Sequence, residues 1–116
     1  MTGLLFKIGI KFVTLLKEDE VEKEYKPRLV TLVREGGFGF FLTNNNGVHN
    51  LNQISAGEPA DLAGVLENDR ILEINGTSVE NVSHDKVVDM IRASGDEVSF
   101  LVVDVETEEY FKAKVN

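Results

Sequence analysis

The 116-residue chain has no cysteine. That removes a disulfide framework and all thiol chemistry, and it fits a reducing compartment. Only two histidines are present, with no HExxH or other paired spacing, so no metal site is expected. Positive charge is scarce: 12 Lys and Arg stand against 20 Asp and Glu, for a net charge of -8. Phosphate binding needs clustered Lys and Arg, so nucleic acid is excluded as an expected partner. No apolar run approaches the roughly eighteen residues of a membrane span. The apolar stretch "GLLFKIGIKFVTLL" is interrupted by Lys7 and Lys11 and lacks a basic start and a small-residue cleavage site. It reads as a packing element, not as a secretory signal or a membrane-surface anchor.

What remains is one domain's worth of chain with 42% hydrophobic residues, enough for a modest core. Residues 1–26 read as an extension. Leu4, Leu5, Ile8, Phe12, Leu15 and Leu16 form a helical stripe, while "FKIGIKF" also alternates as a strand does, so helix is favoured and strand is the alternative. From Pro27 the punctuation sharpens. Strands are expected over 28–33, 38–43, 51–54, 70–74 and 97–103, with a brief return at 77–79. "NNNGVHN" (44–50) is made of turn residues and reads as a loop. A short helix is expected over 60–65, with Pro59 in its first turn. The clearest helix is "SHDKVVDMIRAS" (83–94): Ser83 caps it, Asp85 lies in its first turn and Gly95 follows its end. The tail 105–116 reads as a short final helix capped at Thr107. Strands with two interspersed helices predict an α+β, mostly β fold: a partly open, five- to six-stranded barrel or sandwich capped by two helices, with the extra N-terminal segment.

Catalysis finds no support in the residues. Ser83, His84 and Asp85 are consecutive on a helix, so their side chains point about 100° apart and cannot converge as a triad. His49 is assigned to the 44–50 loop. The acidic residues are spread over loops and helix faces as solvated charges. No cofactor is expected, and an enzyme is not.

The stretch "REGGFGFFLT" (34–43) holds the chemistry. It lacks the third glycine of GxGxxG and the Lys–Ser/Thr of a phosphate loop, and it leads into a strand, so no helix N-terminus faces an anion. Gly37 and Gly39 can instead turn the backbone N–H groups of Phe38, Gly39 and Phe40 to one side. Such a nest of amides binds a carboxylate, with Arg34 close by and phenylalanines lining the adjoining hollow. A bulge with core aromatics is the plainer reading of the same residues. On helical spacing, His84, Val88 and Ile91 (i, i+4, i+7) share one face, and Val87 and Met90 turn toward the core.

Four segments in order, "GFGF" (37–40), "AGEPADLAGVLENDRILEINGTSV" (56–79), "SHDKVVDMIRAS" (83–94) and "VSFLVV" (98–103), resemble a PDZ domain spanning 27–104. "LVREGGFGF" and "VVDMIRASGDEVSFLVVD" are similar to the sodium–hydrogen exchanger regulatory factor scaffolds. Asn68 departs from the family's usual glycine, and Asn is the best substitute for it in a left-handed turn. The resemblance implies a groove between the second strand and the 83–93 helix that receives another protein's C-terminal tail as an added antiparallel strand. The carboxylate would rest on Phe38, Gly39 and Phe40, aided by Arg34. Gly37, Phe41, Leu42, Thr43, His84, Val88 and Ile91 would contact the peptide. His84 would bond a Ser or Thr hydroxyl two residues before the end, a class I preference for S/T-x-apolar-COOH. His49 and Asn50 are candidate contacts further upstream. Expected partners are tails of transmembrane receptors, channels or transporters, with membrane association indirect and a cytoplasmic location at the inner face of the plasma membrane. The alternative is a self-associating or autoinhibited module whose N-terminal arm packs on the groove or on a neighbouring chain.

Overall fold

A computed structural model describes residues 24–114, so the helix-or-strand reading of the N-terminal arm lies almost wholly outside the described residues. The elements run β1 (Arg28–Val33), β2 (Phe41–Asn45), β3 (Val48–Asn52), α1 (Pro59–Leu62), β4 (Asp69–Ile74), β5 (Thr77–Ser78), α2 (His84–Ala93), β6 (Glu97–Val103) and α3 (Val105–Lys114). The strands make one antiparallel sheet in the order β1-β6-β4-β3-β2, with β5 paired to β4. This is the expected α+β, mostly β architecture. The sheet is open, with β1 and β2 at its ends.

Alternation builds the core. β1 buries Val30 and Leu32, and the neighbouring β6 buries Val98, Phe100 and Val102 on the same face. Val87 and Ile91 of α2 close the apolar layer, and Met90 packs against its edge. Ser83 caps α2 as its position predicts, its Oγ accepting from the amide of Lys86 at 3.2 Å.

One charge pair is drawn into this interior. Asp69 is fully buried and takes two hydrogen bonds from Arg28, at 2.8 and 3.3 Å, and a third from the amide of Leu66 at 2.8 Å. The Asp69 carboxylate, bonded to the Arg28 guanidinium, holds its pKa above the ordinary arginine value. Asn68, just before this aspartate, adopts φ +69°, the left-handed conformation for which Asn is the best stand-in for glycine.

Several boundaries differ from the sequence reading, among them α1, at Pro59–Leu62 against the expected 60–65, and β3, at Val48–Asn52 against the expected 51–54. β2 starts at Phe41, not at residue 38, because residues 38–40 bend away in a loop. The 44–50 stretch is not a loop. Asn45 pairs with Val48 across a two-residue turn at Asn46 and Gly47, whose φ values of +54° and +84° are those of a type I′ hairpin. That places His49 in a strand with its side chain buried, its Nε2 2.7 Å from the carbonyl of Val82. At the other end of the chain, α3 is capped by Asp104, whose carboxylate accepts from the amide of Thr107 at 2.7 Å. Thr107 itself is buried inside the first turn.

α3 is fastened to the sheet by Arg70, which bonds Glu108 at 2.7 Å and Glu80 at 3.0 Å. Tyr110 stacks on Tyr25 with ring centroids 3.9 Å apart, so the helix also packs on the segment that leads into β1.

Candidate functional site

Two elements face each other at the open β2 end of the sheet. β2 supplies Phe41, Leu42 and Thr43, and α2 supplies His84, Val88 and Ile91. With Arg34, Phe38 and Phe40 they line one groove of about 400 Å³. Nine of the eleven residues expected at the carboxylate seat and along the peptide are thus brought together. The other two, Gly37 and Gly39, lie in the loop ahead of β2.

The loop ahead of β2 is held in an unusual shape. In a trans peptide the C=O of one residue and the N–H of the next point in opposite directions. The carbonyl of Gly37 accepts from Glu35 at 3.1 Å, that of Phe38 from Ala60 at 2.9 Å, and that of Gly39 from Ser55 at 3.0 Å. The amides of Phe38, Gly39 and Phe40 are therefore turned away from these partners. Among the described residues nothing accepts a hydrogen bond from them. Three successive donors are left together beside the two phenylalanines of the groove. Gly39 makes the shape possible: its φ is +81°, and a Cβ there would overlap the Cβ of Glu58.

The aromatic walls are anchored from behind. Phe40 meets the fully buried Phe100 edge-on at 5.9 Å, and Phe38 lies 6.3 Å from Phe40 in a near-parallel arrangement. The Arg34 guanidinium sits over the Phe38 ring at 4.5 Å and donates to the carbonyl of Gly95 at 3.3 Å, while its own amide bonds Asp96. Its charge is thereby parked at the loop end of the groove.

On α2 the helical periodicity aims His84, Val88 and Ile91 at the groove. Ser83 is spent on its capping bond, so Ser83, His84 and Asp85 form no relay. Among the described residues, no cluster of three or more His, Asp or Glu side chains could hold a metal ion. No helix among them is long and apolar enough to cross a membrane.

Arg92 also lines the groove and was missed in the sequence. Its spacing of eight from His84 was the available signal, since i+7 and i+8 share a helix face. The two upstream candidates sit on β3, and His49 is withdrawn from the surface. His49 is buried on the core side, and Asn50 donates its side-chain amide to the carbonyl of Asn68 at 3.1 Å.

Comparison with known proteins agrees with this architecture. Residues 29–103 match the family model described as "PDZ domain". The chain is 40% identical over 94 residues to the Na(+)/H(+) exchange regulatory cofactor NHE-RF1 of Gallus gallus, covering 78% of this chain and 28% of that protein. It is likewise 40% identical over 94 residues to NHE-RF2 of Oryctolagus cuniculus, covering 78% of this chain and 29% of that protein. The chain thus spans under a third of the length of these curated relatives. Among solved structures it is similar to the PDZ domain from choanoflagellate SHANK1 bound to GIRK3 peptide, with a TM-score of 0.64 and 34% identity, covering 67% of this chain and 91% of that one. With the family model spanning the sheet from β1 to β6, and the glycine loop and capped helix framing one groove, the chain belongs to the PDZ domain family.

Proposed function

We propose that the groove captures the free C-terminal tail of another protein as a strand added to β2. The observation that carries this is the trio of amides at Phe38, Gly39 and Phe40, turned away from their own loop at the end of an apolar groove. A nest of backbone donors suits a terminal carboxylate, whose two oxygens can accept from all three. Arg34, held over Phe38, adds positive charge at the same end. Main-chain bonds along β2 supply affinity that does not depend on sequence.

Selectivity comes from the side chains. The tail's last residue enters between Phe38, Phe40, Leu42, Val88 and Ile91, which favours an aliphatic side chain. His84, opening α2, offers a ring nitrogen to a Ser or Thr hydroxyl two residues earlier. The preference is therefore S/T-x-apolar-COOH. One neutral hydrogen bond of this kind contributes about 1 kcal/mol, enough to rank tails without excluding others.

The domain comprises residues 27–104, with 105–116 as a C-terminal tail and 1–26 as an N-terminal extension. It acts as a scaffold module, not an enzyme. The partner class is the tails of membrane receptors, channels or transporters, which puts the protein in the cytoplasm beneath the membrane those partners occupy. The names of its relatives support that choice: one set is named for sodium–hydrogen exchange, and the solved neighbour is bound to a peptide.

The test is a titration of peptides ending in Thr-x-Leu, each as free acid and as C-terminal amide. The acid is expected to bind well over tenfold tighter. Equal affinity for acid and amide would overturn the carboxylate seat.

A further inference from the structure

β2 has a second face that the apolar groove does not use. Side chains alternate along a strand, so Leu42 points in toward α2 while Phe41 and Thr43 point out. Phe41 is 61% exposed, among the most exposed large apolar side chains described. Its neighbour on β3 is Asn52, whose side-chain amide is turned to Asn68 at 3.1 Å, so no apolar partner covers the ring from that side. Yet Phe41 borders the groove. A bulky aromatic is therefore left uncovered on the strand edge where a captured tail would pair.

The register of that pairing follows from the carboxylate seat, so this step rests on the function proposed above. With the terminal carboxylate on the amides of residues 38–40, an antiparallel tail places its last residue opposite Phe40. The penultimate residue then falls opposite Phe41, and the one before it opposite Leu42. Directly opposed side chains on one face of an antiparallel pair approach to about 5 Å between Cβ atoms. The last and third-last side chains go into the groove, and the penultimate one is laid against the Phe41 ring.

We infer that Phe41 selects the penultimate residue of the captured tail, favouring a large aromatic or aliphatic side chain there. The x of S/T-x-apolar-COOH is then a read position in this protein. Aromatic–aromatic and aromatic–aliphatic cross-strand pairs are the favourable ones, and a small or acidic penultimate residue leaves the ring uncovered. Thr43 offers no comparable surface to the fourth-last residue, because its hydroxyl turns to the carbonyl of Asn50 at 3.4 Å.

The experiment uses free-acid peptides ending in Thr-X-Leu, with X as Trp, Phe, Leu, Ala or Asp, titrated against the full chain and its Phe41→Ser and Phe41→Tyr variants. In the unsubstituted chain the Trp and Phe peptides are expected to bind about threefold to tenfold tighter than the Ala peptide. Phe41→Ser should compress that spread to under about twofold, and Phe41→Tyr should keep it. Because the side chain is exposed, neither variant removes core packing. A flat series in the unsubstituted chain, or a spread that survives Phe41→Ser, overturns the inference while acid-over-amide discrimination still stands. Loss of acid-over-amide discrimination overturns the carboxylate seat, and this inference with it.

Discussion

Gly39 and Glu58 are in contact so close that no side chain fits between them: a Cβ on Gly39 would overlap the Glu58 Cβ. The left-handed φ of +81° adds a second requirement for glycine at the same residue. Gly39→Ala is therefore expected to destabilise the fold by about 1–2 kcal/mol from backbone conformation alone, with the overlap adding to it. Peptide affinity should fall further than stability does, because residues 38–40 must move to relieve the overlap. Urea denaturation beside peptide titration checks both. A variant that binds Thr-x-Leu tails as tightly as the unsubstituted chain would refute the role given to this loop.

The two histidines are expected to fail in opposite ways. His84→Ala should leave the melting temperature nearly unchanged and weaken binding of Thr-containing tails about fivefold, the equivalent of one hydrogen bond of about 1 kcal/mol. Tails with Val in place of the Thr should lose little. If the Ser/Thr preference survives His84→Ala, His84 is not the residue that reads the hydroxyl.

His49 is buried with its Nε2 on the carbonyl of Val82. His49→Ala leaves a cavity and an unpaired carbonyl, for an expected loss of about 2–3 kcal/mol. Peptide affinity, measured where the variant is still folded, should change by less than about twofold, because the side chain lies on the core side of β3. Chemical denaturation and a single peptide titration separate these outcomes.

Asp69 is the residue on which Arg28 depends. Asp69→Asn removes the charge partner of a half-buried guanidinium and weakens the acceptor for Leu66, with an expected cost of about 3 kcal/mol. The pH dependence follows from the raised pKa of Arg28. A cation whose folded pKa is raised contributes its stability fully below its unfolded pKa, which for arginine lies far above neutral, and loses it only as pH rises through the higher folded value. The difference in unfolding free energy between the two proteins should therefore stay constant from pH 7 to about 10. A difference that shrinks across that window would show that the pair is not what Asp69→Asn disturbs.

Much of this fold and site was legible in the residues, and the exceptions have physical causes. β6 and α2 were legible because every local signal agreed: alternating β-branched and aromatic residues in one, and a cap, a periodic face and a terminal glycine in the other. The β2–β3 hairpin was not, because its buried positions are His49 and Leu51 among asparagines. A histidine on the core side breaks the apolar alternation that marks a strand. β4 forms Asp69–Ile74, close to the expected 70–74, but the shift in its pairing with β6 between Ile71 and Glu73 is not written in the sequence. His84, Val88 and Ile91 could be picked out from helical spacing and residues 38–40 from the glycines, whereas Phe41, Leu42 and Thr43 came only with the family resemblance. Arg92 could not be separated from an ordinary last-turn cation. Nor does the sequence state that the carbonyls of Gly39 and Phe38 hang on Ser55 and Ala60, residues far from them along the chain.

Those same carbonyl tethers decide where the disorder of binding is lost. The loop at residues 38–40 is tied to Ser55 and Ala60 before any tail arrives, so little backbone freedom remains for the protein to give up. The entropic penalty of association then falls almost wholly on the incoming chain, at about 1–2 kcal/mol for each residue fixed. Tails that already favour extended backbone, through β-branched residues near the end, should gain affinity by losing less, and mostly through slower release.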